Sequence, residues 1–167
     1  MNKIRMIALA ACMAATLDAS AQEQEIRLFS HRGGRMEHDE NTLSAFQASY
    51  DAGYRGFETD IRMTRDGALV ITHDSSLERT TDGTGTVEEK TEAEIRQLAT
   101  KQGNKMMFLD ELLEFLKGKE GLYVEFEMKT KPVELYPEER LHAYCDKLYD
   151  AVMALSLIHI SEPTRLR

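Results

Sequence analysis

The stretch "FETDIRMTRDGALVITHD", Phe57 to Asp74, decides the fold. Two apolar runs flank Asp66-Gly67, and that dipeptide between alternating residues is a strong short-range hairpin signal. The expected strands are 54–61 and 68–72. A further strand, Ile26 to Ser30, lies upstream; it ends on His31-Arg32 and breaks on Gly33-Gly34. Between these strands Asn41 or Thr42 can cap a helix with Leu43, Phe46 and Tyr50 on its apolar side, and Gly53 ends it. Strand, helix, strand is the opening of a parallel α/β arrangement.

Glu58 and Asp60 are two apart, so on a strand they share a face. Adjacent carboxylates repel and raise each other's pKa unless a cation holds them. Hard divalent ions are bound by such oxygens; the plainer reading is a solvated strand face. With Asp66-Gly67 as a two-residue turn, Arg65 opposes Ala68, Met63 opposes Val70 and Asp60 opposes His73. That register sets His73 beside the carboxylates, and a slip of one residue would turn it to the other face.

The run "LYVEFEMK", 122–129, predicts another strand, with Glu125, Glu127 and Lys129 on one side. That side must meet solvent or surround an ion. Lys129 suits a simple ion pair or the neutralisation of a phosphate. Elsewhere, Thr81 to Thr86 is a Gly/Thr-rich loop, and Thr91 with Glu94 forms a capping box for a helix carrying Ile95 and Leu98. Leu109, Leu112, Leu113 and Leu116 mark a helix face. Pro137 opens another, with Leu141, Tyr144, Cys145 and Leu148 on one side.

The 167 residues carry a net charge of −8, with 42% hydrophobic and 30% charged residues. There is no basic footprint for nucleic acid, and none for anionic lipid through charge alone. Lys3 and Arg5, the apolar run Met6 to Leu17, and Ala19-Ser20-Ala21 read as a secretory signal peptide over 1–21. The chain is therefore expected to be exported, periplasmic or secreted. Leu9-Ala10-Ala11-Cys12 offers a rival lipoprotein box, which would anchor the chain at Cys12. The segment is too short to span a bilayer. After simple secretion Cys145 is the sole cysteine, expected as a packed helix residue. His38 is expected to be solvated, and His142 to lie at the surface or in an interface.

His31-Arg32-Gly33, Glu40-Asn41-Thr42, Glu58-x-Asp60, His73-Asp74 and Glu127-x-Lys129 occur in this order. Together they resemble the glycerophosphodiester phosphodiesterase family, from about Ile26 to Lys129. Leu77 to Gly85, "LERTTDGTG", is similar to the family's stretch after its His-Asp pair. Two departures stand out: Asp39 replaces a proline before Glu-Asn-Thr, and Met107-Phe108 replaces Pro-Thr before the leucine-rich helix. Neither touches a candidate catalytic group.

The resemblance implies a TIM (β/α)8 barrel with its chemistry at the carboxyl ends of the strands. It implies one divalent cation, Ca2+ or Mg2+, held by Glu58, Asp60 and Glu127. His31 and His73 become the acid/base pair, and Arg32 and Lys129 the phosphate contacts. The implied reaction is hydrolysis of a small glycerophosphodiester to glycerol 3-phosphate and an alcohol. Rival readings are a phosphatidylinositol phospholipase C-like or sphingomyelinase-D-like barrel enzyme, or a non-catalytic exported binding protein.

The tail "LSLIHISEPTRLR", Leu155 to Arg167, breaks the preceding helix pattern and resembles a translated sequencing adapter. A (β/α)8 barrel takes about 250 residues. Residues 22–154 are therefore expected to be the N-terminal half of the domain, inactive in isolation and followed by a non-native tail.

Overall fold

A computed structural model of the chain describes residues 27–155. The proposed signal peptide, Cys12 and all of the tail beyond Leu155 lie outside these residues. Strands β1 (Phe29–His31), β2 (Gly56–Met63), β3 (Leu69–Ile71) and β4 (Tyr123–Met128) form one four-stranded sheet. Its helices are α1 (Leu43–Asp51), α2 (Glu92–Ile95), α3 (Leu109–Leu116) and α4 (Glu138–Met153). β2 is the spine. β4 runs parallel along one edge, from Gly56↔Tyr123 to Ile61↔Met128. The other edge is shared: β1 pairs parallel at Phe29↔Gly56, and β3 pairs antiparallel further along.

Alternation along β2 divides its labour. Phe57, Ile61 and Met63 join the main core with Phe46 of α1, Leu112, Phe115 and Leu116 of α3, and Tyr144 and Leu148 of α4. Glu58, Asp60 and Arg62 occupy the alternate positions. Phe57 stacks edge-on against Phe46 at 5.7 Å and Phe115 at 6.4 Å. A second cluster, Val70, Leu77, Val87, Ile95 and Phe108, fills the long excursion between β3 and α3. The capping box is present: Thr91 accepts from the amide of Glu94, whose carboxylate accepts from that of Thr91.

The hairpin register differs from expectation by one residue. Met63 pairs with Leu69 and Ile61 with Ile71. The turn holds three residues, closed by the Thr64 amide donating to the Ala68 carbonyl at 2.9 Å. Gly67, at φ 87, takes the left-handed conformation that ends such a three-residue turn. Thr64 fixes it from inside: its hydroxyl lies 2.6 Å from Asp66 Oδ1 and accepts from the Ala68 amide at 2.8 Å. Asp60 therefore faces Thr72, whose amide donates to the Asp60 carbonyl at 2.9 Å. His73 lies beyond the end of the ladder.

Three smaller expectations also change. β2 runs from Gly56 to Met63 rather than 54–61, and Tyr54 is left exposed. Leu43 is exposed, while Ala45, Phe46 and Ser49 form the buried side of α1. Cys145 is exposed rather than packed, because α4 turns Tyr144 and Leu148 inward. His142 is exposed as expected, and His38 is only half-buried.

Candidate active site

The site forms where β1, β2 and β4 end. Parallel pairing sets their carboxyl ends side by side, His31 beside Glu58 and Asp60 beside Glu127. Oxygens of Glu58, Asp60 and Glu127 all lie within 4.8 Å of one another. The face-sharing inferred for Glu58 and Asp60 thus holds, and β4 supplies the third carboxylate.

Asp60 is fully buried and is the hub. Arg32 Nε lies 3.0 Å from its Oδ2, and Lys129 Nζ 3.0 Å from its Oδ1. The Asn41 amide donates to Oδ2 at 3.0 Å. Lys129 also reaches Glu127 at 2.6 Å. Burial works against the Lys129 ammonium, but these two carboxylates outweigh it and raise its pKa. Glu58 is pushed up to about 7, by burial first and then by the charge of Asp60, while the Arg32 amide works against the shift. That amide donates to Glu58 Oε2 at 3.1 Å.

A hard cation fits this donor set. Three carboxylate oxygens converge, and Asp60 Oδ1 is a buried oxygen with no aligned hydrogen-bond donor. Lys129 pairs with this oxygen as an ion pair without hydrogen-bond geometry. Behind burial, the neighbouring charges of Asp60 and Glu127 also raise the Glu58 pKa, as carboxylates gathered at one point do.

His31 Nε2 lies 3.5 Å from Glu58 Oε2, and half of its side chain is exposed. Its pKa is lowered, by partial burial first and then by the charges of Arg32 and Arg35. His73 holds Asp74 through Nδ1 at 2.6 Å and is one-third exposed. After the one-residue slip it is still linked to Arg32 through Asp74, Arg79 and Glu40. A charge on His73 still contributes to lowering the pKa of His31.

Arg32 is buried, and its guanidinium is committed to Asp60 and to Glu40 Oε1 at 3.2 Å. Its φ is 55, and that of Asn41 is 58. Two non-glycine residues in the left-handed region mark local strain. They are joined by the Asn41 amide donating to the Arg32 carbonyl at 2.9 Å. Of the two capping candidates, Thr42 caps α1, which leaves Asn41 free for Asp60.

The sequence assigns no place in the site to four of its residues, Glu40, Asn41, Asp74 and Arg79. Glu40 accepts from Arg32 and from both terminal nitrogens of Arg79, at 3.0 and 2.7 Å. Arg79 also binds Asp74. A continuous chain of charges therefore runs from Arg32 through Glu40, Arg79 and Asp74 to His73. The hydrogen bond to Arg79 leads in lowering the Glu40 pKa, and at Asp74 the bonds to Arg79 and His73 outweigh burial. Glu40, Asn41 and Asp74 sat inside the quoted motifs, and Arg79 inside "LERTTDGTG". Their presence was visible, but the side-chain pairing was not.

Comparison with known proteins agrees with this geometry. Residues 31–159 match the glycerophosphoryl diester phosphodiesterase family. A glycerophosphodiester phosphodiesterase of Caldanaerobacter subterraneus subsp. tengcongensis is 37% identical over 123 residues, covering 68% of this chain and 50% of that protein. One from Bacillus altitudinis is 28% identical over 144 residues, covering 80% and 58%. Among solved structures, an Oleispira antarctica phosphodiesterase in complex with the product sn-glycerol-3-phosphate superposes with a TM-score of 0.64 at 30% identity, over 75% of this chain and 53% of that one. The chain spans about half the length of the curated relatives it matches. Its parallel β1, β2 and β4, with a helix after β1 and another after β4, make it a partial (β/α)8 barrel. The chain belongs to the glycerophosphoryl diester phosphodiesterase family.

Proposed function

We propose that the full-length protein hydrolyses glycerophosphodiesters to glycerol 3-phosphate and an alcohol. The observation that carries this reading is the convergence of Glu58, Asp60 and Glu127 within 4.8 Å, with His31 3.5 Å from Glu58. The product complex of the Oleispira relative supports the substrate class.

Glu58, Asp60 and Glu127 would hold one divalent cation, Ca2+ or Mg2+. Bound there, such an ion supplies charge stabilisation and orients the substrate oxygens. Arg32 and Lys129 both touch Asp60, so a phosphate reaching the carboxylates meets their positive charge. The two imidazoles handle protons. One takes the proton of the glycerol 2-hydroxyl as that oxygen attacks phosphorus. The other protonates the leaving alcohol oxygen. Water then opens the cyclic phosphate with the roles reversed. The N-terminal sequence supports export, with cleavage after Ala21 or, in the rival form, lipid attachment at Cys12. Among the described residues no helix is long and apolar enough to cross a membrane.

The test is turnover of glycerophosphocholine by the full-length protein, with and without a chelator, in wild type, His31→Ala and His73→Ala. Chelation should abolish turnover. Each substitution should lower kcat by about 10²–10⁴-fold, the usual weight of general acid/base catalysis. Full turnover in either variant would remove that histidine from the mechanism. Accumulation of phosphocholine instead of glycerol 3-phosphate would reject the reaction itself.

A further inference from the structure

We propose that Arg62 is the positioning residue for His73, holding that imidazole in register with the carboxylate cluster. The inference rests on the acid/base role proposed for His73, and it begins from the slipped hairpin. β3 stops at Ile71, so strand pairing does not reach His73. The His73 side chain is held by its own neighbour, Asp74, which moves with it. The placement of the imidazole is therefore set by the backbone at 72–74.

Arg62 grips that backbone. It lies on β2, two residues past Asp60, and its side chain is only 6% exposed. Its Nε donates to the His73 carbonyl at 2.9 Å. Nη1 donates to the Lys131 carbonyl at 2.8 Å and to Glu88 Oε1 at 2.7 Å. One planar guanidinium thus ties β2, which carries Glu58 and Asp60, to the end of the hairpin and to the segment leaving β4, two residues past Lys129.

The counter-charge is anchored as well. Glu88 is buried; Oε2 accepts from the Ser75 hydroxyl at 2.6 Å, and Oε1 from the Tyr136 hydroxyl at 2.8 Å. Ser75 lies two residues past His73, and its carbonyl accepts from the Val87 amide at 2.9 Å. The 73–75 segment is held from both sides of the pair, by Arg62 directly and by Glu88 through Ser75. A rigid fork with several fixed donors can hold such geometry, whereas a lysine ammonium on a flexible stem cannot.

A buried ion pair serving stability alone predicts something different, so the test separates the two. Arg62→Lys keeps a positive charge opposite Glu88 but lacks the fork. In the full-length enzyme, kcat per folded molecule should fall about 10²-fold with KM changed less than threefold, as expected for a misplacement near 1 Å. Hydrogen exchange should rise together at 72–75 and 129–132, a readout that needs no turnover. Glu88→Gln keeps an acceptor for Arg62 and both carbonyl bonds; it should lower Tm while kcat per folded molecule changes less than threefold.

Unchanged exchange at 72–75 and native kcat in a folded Arg62→Lys variant would overturn the proposal. So would a hundredfold kcat loss in Glu88→Gln with 72–75 still protected, which stands even if Arg62→Lys fails to fold. If wild type itself turns over no glycerophosphodiester, the proposed reaction fails, and exchange at 72–75 still decides whether Arg62 holds this segment.

Discussion

The side-chain amide of Asn41 donates to the buried carboxylate of Asp60 at 3.0 Å, and this bond ties the loop after β1 to the hub of the site. The same amide's oxygen accepts from the Thr59 hydroxyl at 3.2 Å, which fixes its orientation. Asn41→Asp would replace the donor with a second carboxylate against Asp60. The expected loss is roughly 2–4 kcal/mol, a charge-assisted hydrogen bond plus a repulsion between buried like charges. Urea unfolding measures it. A variant as stable as wild type would mean that Asp60 does not depend on Asn41.

Cation binding should stabilise the fold by mass action, since the unfolded chain has no preformed site. Ca2+ or Mg2+ should raise Tm, and a chelator should reverse the rise. Glu58→Gln, Asp60→Asn and Glu127→Gln should each weaken binding by at least about 10-fold in calorimetry, because ligand charge sets affinity in such sites. Asp60→Asn should be the most severe: Asp60 is fully buried, whereas over half of the Glu127 side chain is exposed.

Gly33 lets the loop pass close to α1. A Cβ there would sit 2.9 Å from the Ala45 Cβ, and the residue has φ 76. Gly33→Ala combines left-handed strain with a clash against α1, which its own buried Phe46 anchors in the core. The expected destabilisation is about 1–3 kcal/mol. Because Gly33 directly follows Arg32, turnover should fall further than the folded fraction, which thermal melts and kinetics on the same sample will show.

Alkaline stability should be governed by two phenols. Burial, followed by the neighbouring Glu88 carboxylate, pushes Tyr136 up to about 12. Burial also raises Tyr144, with Tyr136 adding to the shift. An unfolded tyrosine titrates near about 10. A folded pKa above the unfolded one means that the stabilisation is intact below pH 10 and is lost as pH rises from about 10 towards 12. Unfolding free energy followed against pH should fall across that window, and Tyr136→Phe should flatten the fall. Phenolate absorbance should report these two rings ionising only as the chain unfolds.

Much of this was legible in the sequence, and the boundary is physical. The strand-helix-strand opening, the Thr91/Glu94 capping box and the shared face of Glu58 and Asp60 follow from local periodicity, which the chain expresses residue by residue. The hairpin register did not follow. Asp66-Gly67 is compatible with a two-residue or a three-residue turn, and the Thr64 hydroxyl selects the longer one. The resemblance implies a phosphate contact at Arg32, but the pairing of its buried guanidinium with Asp60 and Glu40 is not written in the motif. The couplings of Arg79 to Glu40 and of Arg62 to His73 join residues 39 and 11 apart, and no local period encodes them.

The end of the β3 ladder at Ile71 has a practical consequence for protein engineering. A catalytic side chain inside a ladder moves only in whole-residue jumps, because the pleat permits no intermediate height. Just outside it, His73 rides on an adjustable mount, the Arg62 guanidinium that grips its backbone. A set of substitutions at Arg62 would explore fractional displacements of the imidazole without changing any group that touches substrate. Changes in substrate preference can then be sought in the mount rather than in the chemistry.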